Sequence, residues 1–163
     1  MPTNRNLITG KLSYFLVFTV LLSGVMLSCT KKNKASEKPS ITFVGMSGDS
    51  VKSGSNQIIA VKFNFADGDA DLGVSPSSGN FDIYTTDSRD TSKINYYFPK
   101  GIAEAVDPTQ GITGDCTINL EAAFILLRPS RPDRDTVRYE FYIKDKAGNE
   151  SNRFTTPDII IVP

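Results

Sequence analysis

Three aspartates stand at alternate positions in one short stretch: Asp67, Asp69 and Asp71, within Ala66-Asp67-Gly68-Asp69-Ala70-Asp71-Leu72-Gly73. Carboxylates spaced this way along a glycine-containing loop can turn towards one point. Hard cations take oxygen ligands, and Ca2+ accepts six to eight of them at about 2.3–2.6 Å. The pattern is not an EF-hand. Counted from Asp67, the sixth position is Leu72, where the sharp turn needs glycine, and the twelfth is Ser78, where a bidentate glutamate is needed. Three aspartates do not fill a coordination sphere, so carbonyls, waters or a distant carboxylate such as Asp145 would have to complete it. The alternative is that the three are turn formers, bonding their own backbone in a solvated loop. On sequence alone both readings stand.

Other chemistry is sparse. The chain has no histidine, which removes the usual general base near neutral pH, every Ser-His or Cys-His pair and histidine-based zinc sites. Paired carboxylates of the glycoside-hydrolase kind remain conceivable, but a filled domain of this size leaves them little cleft. The expectation is therefore a protein that is not an enzyme. Tyr96, Tyr97 and Phe98 form an aromatic cluster, and Tyr84 and Tyr142 fall on alternating strands, so glycan binding is the alternative to a protein partner. There is no tryptophan, the best stacking platform. No basic stretch dominates, which argues against nucleic acid. Of the two cysteines, Cys116 reads as a small buried strand residue.

The elements that would carry these residues are strands. Ile41-Thr42-Phe43-Val44 opens a β-branched and aromatic segment, and Gly45 to Asn56 reads as a turn region. Ile59, Val61, Phe63 and Phe65 then alternate with Ala60, Lys62 and Asn64, a period of two with one apolar face. Past the aspartate loop, strands are expected at Phe81–Thr85 and Ile94–Phe98, and one long or two short strands across Ile112–Leu127. In that last span Phe124-Ile125-Leu126-Leu127 fits a buried strand or a helical turn equally. Two prolines make Arg128–Asp135 a loop. Val137, Tyr139, Phe141 and Ile143 face one way along the clearest strand. Tyr139 is either a tyrosine-corner residue or an ordinary core tyrosine. Asp145–Glu150 is a turn, and a final strand from Arg153 to Val162 is interrupted by Pro157. About seven strands without a long amphipathic helix suit an all-β fold, an immunoglobulin-like antiparallel β-sandwich over residues 39–163.

Two segments carry a resemblance. Asp145-Lys146-Ala147-Gly148-Asn149-Glu150-Ser151 is similar to the D-x-x-G-N-x-S turn of bacterial immunoglobulin-like and cadherin-like extracellular domains. Phe65-Ala66-Asp67-Gly68-Asp69-Ala70-Asp71-Leu72-Gly73 resembles the F-x-D-G-D-G-D-[LI]-G loop of small envelope lipoproteins, with Ala70 where that pattern has glycine. The resemblance implies a fold and an address, and no activity.

The N-terminus points to the same address. Arg5 and Lys11 precede an almost wholly apolar run, Leu12 to Leu27, which is short for a bilayer-spanning helix. Met26-Leu27-Ser28-Cys29 then resembles a lipobox. That resemblance implies a lipoprotein signal peptide at residues 1–28, diacylglycerol on the Cys29 thiol, an N-acyl lipid such as palmitate on its amine, and a place in a bacterial outer membrane. Two or more acyl chains hold a protein stably, where one does not. Residues 29–38 are polar, rich in lysine and end at Pro39, as a flexible tether would. Loss of residues 1–28 removes Arg5 and Lys11 from 18 basic residues and none of the 18 acidic ones, so the mature chain is about two charges negative.

Overall fold

The computed structural model describes residues 36–99, 102 and 110–163. The expected signal peptide, Cys29 and most of the tether lie outside the described residues. Among the described residues, ten strands carry the domain: β1 Ser40–Met46, β2 Ser50–Lys52, β3 Ile58–Asp67, β4 Ile83–Asp87, β5 Lys93–Tyr96, β6 Ile112–Glu121, β7 Asp135–Val137, β8 Tyr139–Ile143, β9 Phe154–Thr155 and β10 Ile159–Val162. Two single-turn 3-10 segments, Pro76–Ser78 and Ala122–Phe124, are the described helical elements.

The strands form sheets of order β1-β3-β6, β5-β4-β8-β9 and β2-β10-β7. Only Arg138 separates β7 from β8, and Thr156-Pro157-Asp158 separates β9 from β10, so the latter two sheets share two chain lines. The fold is thus a β-sandwich of two layers: β1-β3-β6 on one side, and β5, β4, β7/β8, β9/β10 and β2 on the other. With each interrupted pair taken as one line, and β1/β2 as one line that changes sheets, the expected seven strands are present. One pairing departs from the antiparallel expectation. Having left the first sheet after Met46, the chain returns as β2 alongside β10 in the same direction, with Val51 opposite Ile161.

Alternation explains the layering. In β3, Ile59, Val61, Phe63 and Phe65 are buried while Lys62 and Asn64 face solvent. In β7 and β8, Val137, Tyr139, Phe141 and Ile143 are buried. Phe63 and Phe141 meet from opposite layers at a centroid distance of 6.3 Å, and Phe154 packs on both, at 5.7 and 5.1 Å. Cys116 lies buried in β6, where burial pushes its thiol up to about 11. Tyr139 is a core residue, 2% exposed. The ambiguous run from Phe124 to Leu127 is neither a strand nor wholly buried: Ile125 reaches the core, while Phe124 and Leu126 stand out in solvent.

Candidate metal centre

β3 ends at Asp67, which pairs with Ile112 at the start of β6. The chain then turns sharply. Ala70 takes φ 56°, the left-handed region that disfavours a side chain. That turn lets Asp71 double back, so that its backbone N–H donates to Asp67 Oδ2 at 3.0 Å. One carboxylate oxygen from each of Asp67, Asp69 and Asp71 consequently lies within 4.8 Å of the others.

Hydrogen bonds leave one oxygen of each of these carboxylates without a partner. Among the described residues, five buried side-chain polar atoms lack a partner: Asp67 Oδ1, Asp69 Oδ1, Asp71 Oδ1, Thr85 Oγ1 and Asn95 Oδ1. Three of the five belong to this one loop. A buried charged oxygen without a donor is costly, and three gathered together are costlier still. Asp67 itself is only 4% exposed. Burial and the neighbouring charges of Asp69, Asp71 and Asp145 push its carboxyl up to about 6, against the lowering effect of the Asp71 N–H. The Asp71 carboxyl is also raised, by burial first and then by Asp145 and Asp69.

The loop is fastened on three sides. Asp71 accepts the Ala147 N–H at Oδ2 and the Lys146 N–H at its carbonyl, both at 3.1 Å, which joins it to the β8–β9 turn. The Gly68 N–H donates to the Ser36 carbonyl at 2.9 Å. Gly111, at φ 68°, presses so closely that a Cβ there would stand 2.7 Å from the Asp67 carbonyl oxygen.

Asp145, the fourth expected ligand, sits beside the cluster and not within the converging group. Its Oδ1 accepts the Asn149 N–H at 2.7 Å and its Oδ2 the Asn149 Nδ2 at 2.8 Å, so it builds the turn and adds negative charge to the site.

The chain matches no family profile, and no curated protein matches it significantly.

The donor set, three carboxylates, suits a hard cation. Nitrogen- or sulfur-preferring metals find no histidine anywhere and no cysteine in the loop.

The aromatic cluster expected from Tyr96-Tyr97-Phe98 is split by the fold. Phe98 packs into the core on Phe65 at 5.0 Å, Tyr97 lies on Phe81, and Tyr96 lines a groove between β5 and β6. Tyr84 and Tyr142 stack on each other at 4.8 Å, with the Arg153 guanidinium over the Tyr142 ring and Lys144 near the Tyr84 ring. The groove encloses about 120 Å3, and Glu121 is the one carboxylate in its described lining.

A further positioning residue escaped the sequence reading. Asp82, wholly buried, accepts the Val74 N–H at Oδ1 (2.7 Å) and the Phe98 N–H at Oδ2 (2.8 Å). It pins the far end of the aspartate loop to the segment after β5. Lying just before β4, it looked like one more polar position of an alternating strand.

Proposed function

We propose that this protein is a lipid-anchored cell-envelope module without catalytic activity of its own, whose β-sandwich is held in shape by a calcium ion and acts as a binding or structural element. The anchor is diacylglycerol with an N-acyl chain on Cys29, and the membrane is the bacterial outer membrane. The order of basic, apolar, lipobox-like and polar segments in the first 38 residues supports the anchor. The observation that carries the calcium reading is the set of three buried, unpaired aspartate oxygens, one each from Asp67, Asp69 and Asp71. A single divalent cation would satisfy all three at once and offset their mutual repulsion. Calcium fits better than magnesium, because it tolerates irregular shells whereas magnesium demands a near-octahedral one.

Thermal melting in calcium and in chelator tests the cation. A ligand at one hundred times its Kd adds about 2.7 kcal/mol, which for a domain of this size raises Tm by roughly 5–10 °C. Equal melting curves would overturn the calcium reading. Intact-mass analysis of the native product tests the anchor. The expected mass is that of a chain beginning at Cys29 and carrying acyl groups. A product that retained Met1, or an unmodified thiol at position 29, would overturn it.

A further inference from the structure

Resting on the calcium reading, we infer that the ion works as a clasp: its occupancy fixes the incoming chain at Ser36 and the β8–β9 turn to the body of the sandwich. Asp71 belongs to the cluster and keeps Oδ1 buried without a donor, while its Oδ2 and its carbonyl accept from Ala147 and Lys146. Asp67 likewise keeps Oδ1 buried without a donor, while its Oδ2 accepts from the Asp71 N–H and the next residue, Gly68, donates to Ser36. Asp67 and Asp71 therefore each leave one oxygen free for the ion, while Asp71 itself, and Gly68 next to Asp67, are tied to separate segments. Gly111 closes the remaining side against the Asp67 carbonyl.

Without the ion, Asp67, Asp69 and Asp71 repel one another, and Asp145 adds to the repulsion. The cheapest relief is to open the loop. Opening breaks the bonds from Gly68, Lys146 and Ala147, because Asp71 accepts the latter two and Gly68 directly follows Asp67 in the chain. With the ion in place, the loop closes and the three bonds close with it. Neither segment supplies an orphaned carboxylate oxygen, so each is held by the ion only through Asp67 and Asp71. Binding and ordering are then one equilibrium, in which ordering the segments strengthens binding as much as binding orders them.

Amide hydrogen exchange on the full chain in detergent micelles, with calcium chloride or with EDTA, tests the clasp, while calorimetry on the same samples reports whether calcium binds. The expected result is that calcium slows exchange at Gly68, Lys146 and Ala147 at least tenfold. In Asp71→Asn, calcium should leave those three amides unchanged. Calcium that binds and protects Asp71 but leaves Gly68, Lys146 and Ala147 exchanging as fast as in EDTA would overturn the clasp while sparing the ion site. Absence of calcium binding would overturn both.

Discussion

The carboxylate of Asp71 is shared between two tasks: Oδ2 accepts the Ala147 N–H at 3.1 Å, and Oδ1 is buried at the cluster with no donor. Asparagine at position 71 keeps an oxygen for Ala147 and removes the charge. Asp71→Asn should therefore weaken calcium binding at least tenfold, about 1.4 kcal/mol. In chelator its effect should reverse. Burial and the charges of Asp145 and Asp69 disfavour an ionised carboxyl at this position, so the neutral side chain should melt at or above the wild-type temperature. Paired melting curves in calcium and in EDTA check both signs. A variant less stable than wild type in EDTA would show that the carboxylates do not strain the ion-free loop.

Ala70 occupies the left-handed region at φ 56°, between two of the converging aspartates. The steric cost of a Cβ there is about 1 kcal/mol or somewhat more, and glycine escapes it. Ala70→Gly should stabilise the domain by roughly 0.5–1 kcal/mol, since part of the gain is returned as unfolded-chain entropy. Urea titration gives the number, and an unchanged slope alongside a higher midpoint would show that the gain is in stability. A lower midpoint would mean that the Ala70 methyl makes contacts worth more than the strain.

Much of the scaffold was legible in the sequence, because alternation reports burial whenever a strand has one wet face. Ile59 to Phe65 and Val137 to Ile143 are of this kind, and Pro157 does divide β9 from β10. Three features were not legible, each for its own physical reason. The Phe124–Leu127 run is uniformly apolar, so only the packing decides that Ile125 turns inward while Phe124 and Leu126 do not. β2 is three residues long and owes its existence to β10, which lies over a hundred residues away in the chain. The aspartate spacing announced a cluster, but Ser36, Gly111 and Ala147 reach it through backbone atoms, which residue type does not reveal.

Asp82 is a sharper case of the same limit. Its two oxygens satisfy the Val74 and Phe98 N–H groups, and its own backbone bonds Tyr96 and Lys144. Alanine at this position keeps the backbone bonds and orphans both donors. With each unsatisfied buried group costing about 1–3 kcal/mol, Asp82→Ala should lose roughly 2–5 kcal/mol. Asp82→Asn, which keeps one acceptor, should lose less. Chemical denaturation of the two variants measures the order, and equal losses would show that the carboxylate's shape matters and its acceptors do not.

At another buried acid, Asp135, the physics is ordinary pairing, and pH exposes it. The Arg128 guanidinium grips both Asp135 oxygens, Nε to Oδ2 and Nη2 to Oδ1, each at 2.7 Å, and Arg89 reaches Oδ2 at 3.4 Å while holding Asp87. This network ties the β4–β5 turn and the proline-rich loop to β7. The Arg128 hydrogen bonds hold the Asp135 carboxyl far below the usual carboxylate range, with help from the Thr136 N–H and against the opposing effect of burial. A depressed carboxyl stabilises the fold at pH values above its unfolded pKa, about 3.9, and loses that contribution as the pH falls towards the folded value. At pH 7, Asp135→Asn should cost about 3 kcal/mol, the low end for breaking a buried pair, because Arg128 is partly exposed and can rehydrate. Asparagine does not titrate, so the gap between wild type and variant isolates this one group. It should hold steady from pH 7 to about 4.5, then narrow by up to about 1.4 kcal/mol for each further pH unit. Denaturation midpoints taken down to pH 2.5 decide it: a gap that stayed constant over that range would mean that Arg128 grips a carboxyl whose charge contributes nothing to stability.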